Sequence, residues 1–197
     1  VQDAPADQYL PKIANIINTV LEYDISFIEG YTATNLVKIK KLLGIIAESV
    51  PYEPNISELA RKMQLGRDTV NNYLRHLQKG RILNLVQKQS RGMAALKKPD
   101  KIYLENSNFS HALKKDPDKG SVREGFLLNQ LLNAGHEVYL PPKGDFYVAG
   151  EELCIEVGGK NKDVTQIKDL PKAVVAADDI EHGFGRTIPL WLFGFLY

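Results

Sequence analysis

The sequence has 197 residues, of which 44% are hydrophobic and 25% charged, and its formal net charge is +1. This composition is typical of a soluble globular protein with one large or two small domains. No apolar run approaches the roughly 18 residues of a membrane-spanning helix, so no membrane contact is expected. The single cysteine, Cys154, excludes an internal disulfide framework and favours the cytoplasm, and the four scattered histidines offer no zinc-ligand spacing.

Residues 1–31 are predicted to be a helical lead-in from a longer protein. The chain opens with VQDAPADQ, without Met, and residues 9–23 then carry Leu and Ile at helical spacing. We therefore expect a missing domain upstream. Residues 32–49 repeat the helical pattern, and Val50-Pro51 ends it.

Residues 55–81, NISELARKMQLGRDTVNNYLRHLQKGR, predict two short amphipathic helices joined by a turn that contains Gly66. This pattern is typical of a helix-turn-helix. Asn55 is a predicted N-cap, with Glu58 three residues later as in a capping box. The second helix is expected to direct polar and basic side chains outward, including His76, toward phosphates and base edges.

Two alternating segments, ILNLVQKQ and KIYLEN, flank a polar basic loop and predict a β-hairpin wing. Together these elements predict a winged helix-turn-helix over residues 32–106. A protein-interaction module is the alternative for such a domain. The side chains expected to contact DNA are Arg67, Thr69, Asn71, Asn72 and Arg75 on the second helix and Lys88, Arg91, Lys97 and Lys98 on the wing.

The charge is unevenly distributed along the chain. Residues 31–105 contain 14 Lys and Arg against 6 Asp and Glu, a net charge of +8, and the other residues carry 11 against 18, a net charge of −7. A basic centre between acidic flanks favours a polyanion-binding segment, and a solvated basic surface is the alternative.

Residues 106–120 are predicted to be a polar linker, and residues 118–197 a small α/β domain. In chain order we expect a helix at 121–134, strands at 137–140, 145–149 and 153–157, a helix at 164–170, and strands at 173–177 and 190–197. Cys154 and Trp191 are expected in its core. The predicted fold class of the whole chain is therefore α+β.

Four residues of this last domain could carry chemistry: Glu124, Asp145, Glu156 and Lys160. Carboxylates at facing strand ends can bind Mg²⁺, and a nearby lysine can stabilise developing charge. Glu156 also interrupts an apolar strand, where an inward carboxylate needs a partner. Gly158-Gly159-Lys160 does not match a nucleotide-binding phosphate loop.

The order helix Glu, strand Asp, strand Glu and Lys resembles the PD-(D/E)xK nuclease superfamily over about residues 118–197. The resemblance implies a restriction-endonuclease-like fold with Glu124, Asp145, Glu156 and Lys160 as catalytic positions, active or vestigial, and Asp145 and Glu156 as metal ligands if active. The sequence departs from that pattern at Gly144, where the family has Pro, and at Gly158, where it has Lys. Lys160 is displaced by two positions, and Lys162 lies further on.

The whole chain, especially VGGKNK and PLWLFGFLY, resembles the C-terminal region of a family of prokaryotic AAA+-type ATPases. That resemblance implies a missing N-terminal domain that binds ATP, a winged helix and a nuclease-like domain.

Three functions follow as hypotheses. The first is an accessory region of such an ATPase that binds DNA or a partner through its winged helix, with an inactive nuclease-like domain, no cofactor of its own, and the N-terminal ATPase domain of the same protein as a partner. The second is a Mg²⁺-dependent DNA endonuclease, and the third is a protein-interaction module without a nucleic-acid role.

Overall fold

A computed structural model describes residues 6–25, 30–89 and 98–197. The chain is α+β and divides into two compact units. The first unit comprises Val1–Leu85 and Lys98–Pro117, and the second comprises Val86–Lys97 and Asp118–Tyr197. Within the described ranges, no helix has the length and apolar character needed to cross a membrane.

The first unit is mainly helical. Its helices are α1 (Ala6–Thr19), which continues as a π-helical segment (Val20–Ile25), α2 (Ala33–Ser49), α3 (Ile56–Met63), α4 (Arg67–Lys79) and α5 (Ser107–Leu113). The predicted linker at 106–120 is wrong in part, because Ser107–Leu113 within it form α5. The Asn106 side chain caps this helix by accepting a hydrogen bond from the Asn108 backbone N–H at 2.9 Å.

The turn between α3 and α4 follows from local chemistry. The Asn55 side chain accepts a hydrogen bond from the Glu58 N–H at 3.2 Å, which confirms the predicted N-cap. The Glu58 carboxylate, however, pairs with Lys62 at 2.8 Å. At the other end, Gln64 takes a left-handed conformation with φ 53°, and Gly66 caps the start of α4.

A small sheet completes the first group of elements. Strands β1 (Leu83–Val86) and β2 (Lys101–Leu104) pair with each other, and Tyr52, between α2 and α3, forms an antiparallel bridge with Ile102. The two backbone hydrogen bonds of this bridge are 2.9 and 2.8 Å long. Apolar faces of α1–α4 meet in one core, which includes Ile17, Leu42, Leu59, Leu74 and Leu77.

The second unit contains a five-stranded mixed sheet and one long helix. Its elements are α6 (Lys119–Asn133), β3 (Val138–Tyr139), β4 (Phe146–Val148), β5 (Leu153–Gly158), a 3₁₀-helix (Thr165–Ile167), β6 (Ala173–Ala177), β7 (Thr187–Pro189) and a second 3₁₀-helix (Leu190–Phe195). The strand order is β3-β4-β5-β6-β7. The first two pairings are antiparallel and the last two parallel, and α6 packs against β5.

Two predicted elements of this unit were wrong. The predicted helix at 164–170 is a single 3₁₀ turn, Thr165–Ile167. The predicted strand at 190–197 is the 3₁₀-helix Leu190–Phe195, preceded by the short strand β7. Trp191 is consequently 51% exposed instead of lying in the core, and its indole N–H donates to the Ile180 carbonyl at 3.2 Å.

Candidate functional sites

Asp145 and Glu156 come together where β4 begins and β5 ends. Phe146 pairs with Ile155 in the antiparallel register, so the preceding Asp145 lies beside Glu156. The Asp145 N–H donates to the Ile155 carbonyl at 3.0 Å, and the Val157 N–H donates to Asp145 Oδ2 at 2.7 Å. These two backbone contacts fix the Asp145 carboxylate against the end of β5.

Glu156 is a buried acid, with 3% of its surface exposed. Its Oε1 forms an ion pair with Lys162 Nζ, and Lys162 also donates to Gln166 Oε1 at 3.0 Å. Burial raises the pKa of the Glu156 carboxyl above its usual range, and the charge of Asp145 acts in the same direction, while Lys162 lowers it. Lys162 is therefore the partner that the buried Glu156 carboxylate requires.

The lysine beside Glu156 is Lys162, two positions beyond the expected Lys160. Lys160 is exposed and lines an open cleft of about 500 Å³ together with Gly159, Asn161, Lys162 and Asp179. Lys162 is half-buried. Glu124 lies in the second turn of α6, half-buried.

The arrangement around Asp145 and Glu156 suits a hard cation in its donor chemistry, because Mg²⁺ prefers carboxylate oxygens. One oxygen of each carboxylate is engaged, by Val157 and by Lys162. Gly144 has φ +90°, which favours glycine, and a Cβ there would lie 3.4 Å from the Ile155 carbonyl oxygen and 3.8 Å from Glu156 Oε2. Over the described ranges, no group of three or more His, Cys, Asp or Glu is placed to hold a metal, so backbone or water oxygens would have to complete the ligand set.

An arginine that sequence reasoning missed stabilises the same end of the sheet. Arg123 donates from Nε to Asp178 at 2.8 Å and from a terminal nitrogen to Asp179 at 2.9 Å. Burial alone would raise the pKa of Asp178, but hydrogen bonds from Arg123 and from the Asp179 backbone hold it below its usual range. A Cβ on Gly159 would lie 3.3 Å from the Arg123 guanidinium, so the glycine gives the arginine room.

The second predicted site lies on α4 in the first unit. Val70, Tyr73, Leu74 and Leu77 face the core. Arg67, Asp68, Asn72 and Arg75 are exposed, and Thr69 and Asn71 are half-buried. Lys98, before β2, is exposed as well.

Three further residues were predicted to contact DNA. Lys88 is exposed but belongs to the second unit, where it bridges to Leu140. Arg91 and Lys97 lie outside the described residues, so the predicted wing loop is not among the observed elements.

His76 does not point outward as expected. Its Nδ1 shares a hydrogen bond with the Tyr31 hydroxyl, and the Tyr31 ring packs edge-on against Tyr73 with centroids 5.4 Å apart. Tyr73 in turn donates to Asn35 Oδ1 at 3.3 Å. His76 therefore links α4 to Tyr31, which lies just before α2.

A family model covers residues 2–119 and describes a domain of unknown function, DUF8612. The chain belongs to the DUF8612 family. No curated protein and no solved structure matches the chain. The DUF8612 match includes α4 and its basic surface, and it ends at the start of α6. Asp145, Glu156 and Lys162 thus lie beyond the region that the DUF8612 model describes.

Proposed function

We propose that this chain is a DNA-binding accessory region and that unit 1 binds DNA through a winged helix. The observation that carries the proposal is the exposure of Arg67, Asn72 and Arg75 on α4, whose apolar side is buried through Val70 and Leu77. Such side chains are suited to phosphate contacts and to base edges, and a second helix of this length fits the major groove.

The order of elements supports the winged-helix assignment. Helix α2 is followed by the Tyr52 bridge, by α3 and α4, and by the paired strands β1 and β2. In a winged helix the residues between the first two helices pair with the hairpin that follows the recognition helix, and the Tyr52–Ile102 bridge meets that description. Residues 31–85 and 98–105, which belong to unit 1, hold 11 Lys and Arg against 6 Asp and Glu, and this net charge of +5 supplies the electrostatic attraction.

The test is binding of labelled duplex and single-stranded DNA at two salt concentrations. We expect duplex binding that weakens steeply with salt, and we expect Arg75→Glu to weaken it at low salt. Lys41→Glu, an exposed position on α2, makes the same change in net charge and is the control. An equal effect of both variants, or none from Arg75→Glu, would contradict the proposed surface.

We further propose that this region serves a AAA+-type ATPase, with the ATPase domain of the same protein as its partner. The support is the resemblance carried by VGGKNK and PLWLFGFLY. In the full-length protein, we expect duplex DNA to change the rate of ATP hydrolysis and Arg75→Glu to remove that response. If DNA still changes the rate of ATP hydrolysis in Arg75→Glu, that response does not depend on α4.

A Mg²⁺-dependent nuclease in unit 2 is the second candidate function, and the convergence of Asp145, Glu156 and Lys162 favours it. Bound Mg²⁺ would supply Lewis-acid activation of a phosphodiester. Asp145 and Glu156 would hold the ion. The Val157 N–H would keep the Asp145 carboxylate in place, and Lys162 the Glu156 carboxylate, before substrate arrives. The lysine ammonium would stabilise negative charge on the phosphate.

Substitution of Glu156 tests this second function. If unit 2 is a nuclease, Glu156→Gln should abolish Mg²⁺-dependent cutting of DNA and leave duplex binding by α4 intact. Glu151→Gln, in the exposed turn after β4, is the matched control and should cut normally. Cutting that survives Glu156→Gln would exclude this site as its source.

A further inference from the structure

Gly158 is the most constrained glycine at the candidate nuclease site. A Cβ built on it would lie 2.5 Å from both Cβ and Cγ of Lys162 and 2.8 Å from its Cδ. Real side-chain atoms do not approach so closely, so residue 158 and the stem of Lys162 compete for one space. The φ of Gly158 lies outside the left-handed region, so the neighbouring lysine is what excludes a side chain here.

Residue 158 is also the place, two residues after Glu156, where the PD-(D/E)xK pattern has its lysine. The space that this lysine would enter first is filled by Lys162. We propose that Lys162 replaces the lysine missing from position 158 and that Gly158 is a positioning residue that admits it. The chemical role of Lys162 rests on the second proposed function, but its placement does not.

The loop that delivers Lys162 is built from short-range contacts. The Lys162 N–H donates to the Gly159 carbonyl at 2.9 Å, which closes a turn over residues 159–162 and reverses the chain. The Gly158 carbonyl accepts from the Asp178 N–H at 2.8 Å, so the turn is attached to the end of β6. Lys162 then reaches back to Glu156, while Lys160 projects to solvent from the same turn.

Arg123 supports the other side of this turn. Its guanidinium lies against Gly159 and is itself held by Asp178 and Asp179. Each of the two glycines therefore gives room to a cation, and the two cations have different roles. Arg123 pairs with acids at the end of β6, whereas Lys162 pairs with the buried acid of β5.

Reaction of lysine amines with an acylating reagent, read by peptide mass spectrometry, measures this placement without DNA or metal. In the wild-type protein we expect Lys162 to react several-fold more slowly than Lys160, which is exposed in the same turn. Gly158→Ala should raise the reactivity of Lys162 to that of Lys160. Gly150→Ala is the matched control, because a Cβ there would meet no atom within 4 Å, and it should leave Lys162 protected.

A relocated lysine provides the second variant, with folding checked by circular dichroism. When Gly158→Lys is combined with Lys162→Gly, we expect the new lysine to be protected from acylation as Lys162 was. Equal reactivity of Lys160 and Lys162 in the wild-type protein, or an unprotected lysine at position 158 in the double variant, would overturn the proposal.

Cutting assays separate this placement from the nuclease function. If the wild-type protein cuts DNA, Lys162→Met should abolish cutting, Lys160→Met should not, and the relocated lysine should restore it in part. Loss of cutting with Lys160→Met alone would overturn the assignment of Lys162. If the wild-type protein does not cut, the nuclease function fails, and the acylation result alone decides where the lysine lies.

Discussion

Glu105 shows how a single buried charge acts in this protein. It directly follows β2, is 6% exposed and pairs with Arg81 at 2.7 Å. Burial raises the pKa of Glu105, although the Arg81 charge lowers it. Desolvation of the carboxylate thus outweighs its exposed partner, which water screens.

The raised pKa of Glu105 predicts a pH dependence of stability. Because the folded state holds the proton more tightly, the free energy of unfolding should fall as pH rises from about 4, the ordinary range of glutamate. Glu105→Gln should remove this part of the slope, so the variant should gain stability relative to the wild type toward pH 7. Denaturant unfolding at both pH values measures it. Glu53→Gln, at an exposed position, is the control, and a pH-independent difference between wild type and Glu105→Gln would contradict the prediction.

Arg186 holds together the irregular part of unit 2. Its guanidinium donates to the carbonyls of Ala173, Lys168, Ile167 and Leu170 at 2.7 to 3.3 Å. These bonds satisfy the carbonyls at the end of the short 3₁₀-helix and at the start of β6, which a single turn of helix cannot satisfy alone.

Replacement of Arg186 by Met should therefore destabilise unit 2 by about 2–4 kcal/mol, because four charged hydrogen bonds, three of them partly buried, are lost together. Trp191 is the single tryptophan and lies in this unit, so its fluorescence reports the transition. Lys172→Met, at an exposed position nearby, should shift the midpoint little. Equal shifts in both variants would show that charge, rather than the four bonds, is responsible.

At the scale of elements, the helix caps are the local signals that the sequence encodes most directly. Asn55→Ala removes the acceptor for the Glu58 N–H and should cost about 1 kcal/mol. Asn55→Asp should retain most of the stability, because aspartate caps equally well. Thermal unfolding followed by circular dichroism measures both variants. A loss as large in Asn55→Asp as in Asn55→Ala would argue against the cap.

The sequence predicted α3 and α4 because periodicity and capping agree there. It failed at LWLFGFLY, since a short apolar run is compatible with a strand or a buried helical turn. In the structure Leu190 and Phe193 are buried, whereas Trp191 and Phe195 are exposed. Which of these side chains is buried depends on the elements that pack against this segment.

The pairing of Asp145 with Glu156 followed from the predicted hairpin, but the choice of Lys162 over Lys160 depended on a turn. That turn is set by backbone hydrogen bonds and by the space at Gly158, neither of which residue order reveals.

At the scale of the whole molecule, the net charge of +1 conceals a basic segment of +8 and acidic residues of −7. Polyanions respond to local potential rather than to net charge, so a nearly neutral chain can bind DNA through one surface.

The number of predicted DNA-binding cations predicts the salt dependence of DNA binding. Arg67, Arg75 and Lys98 are exposed cations of unit 1, and three phosphate contacts give a slope of log affinity against log salt of about −3. Arg67→Gln should reduce the magnitude of that slope by about 1, because one fewer counterion is released. Lys168 is exposed and belongs to unit 2, so Lys168→Gln should leave the slope unchanged. Anisotropy titrations over a range of salt concentrations measure all three proteins. Equal reductions in both variants would mean that DNA contacts the chain through its overall charge and not through α4.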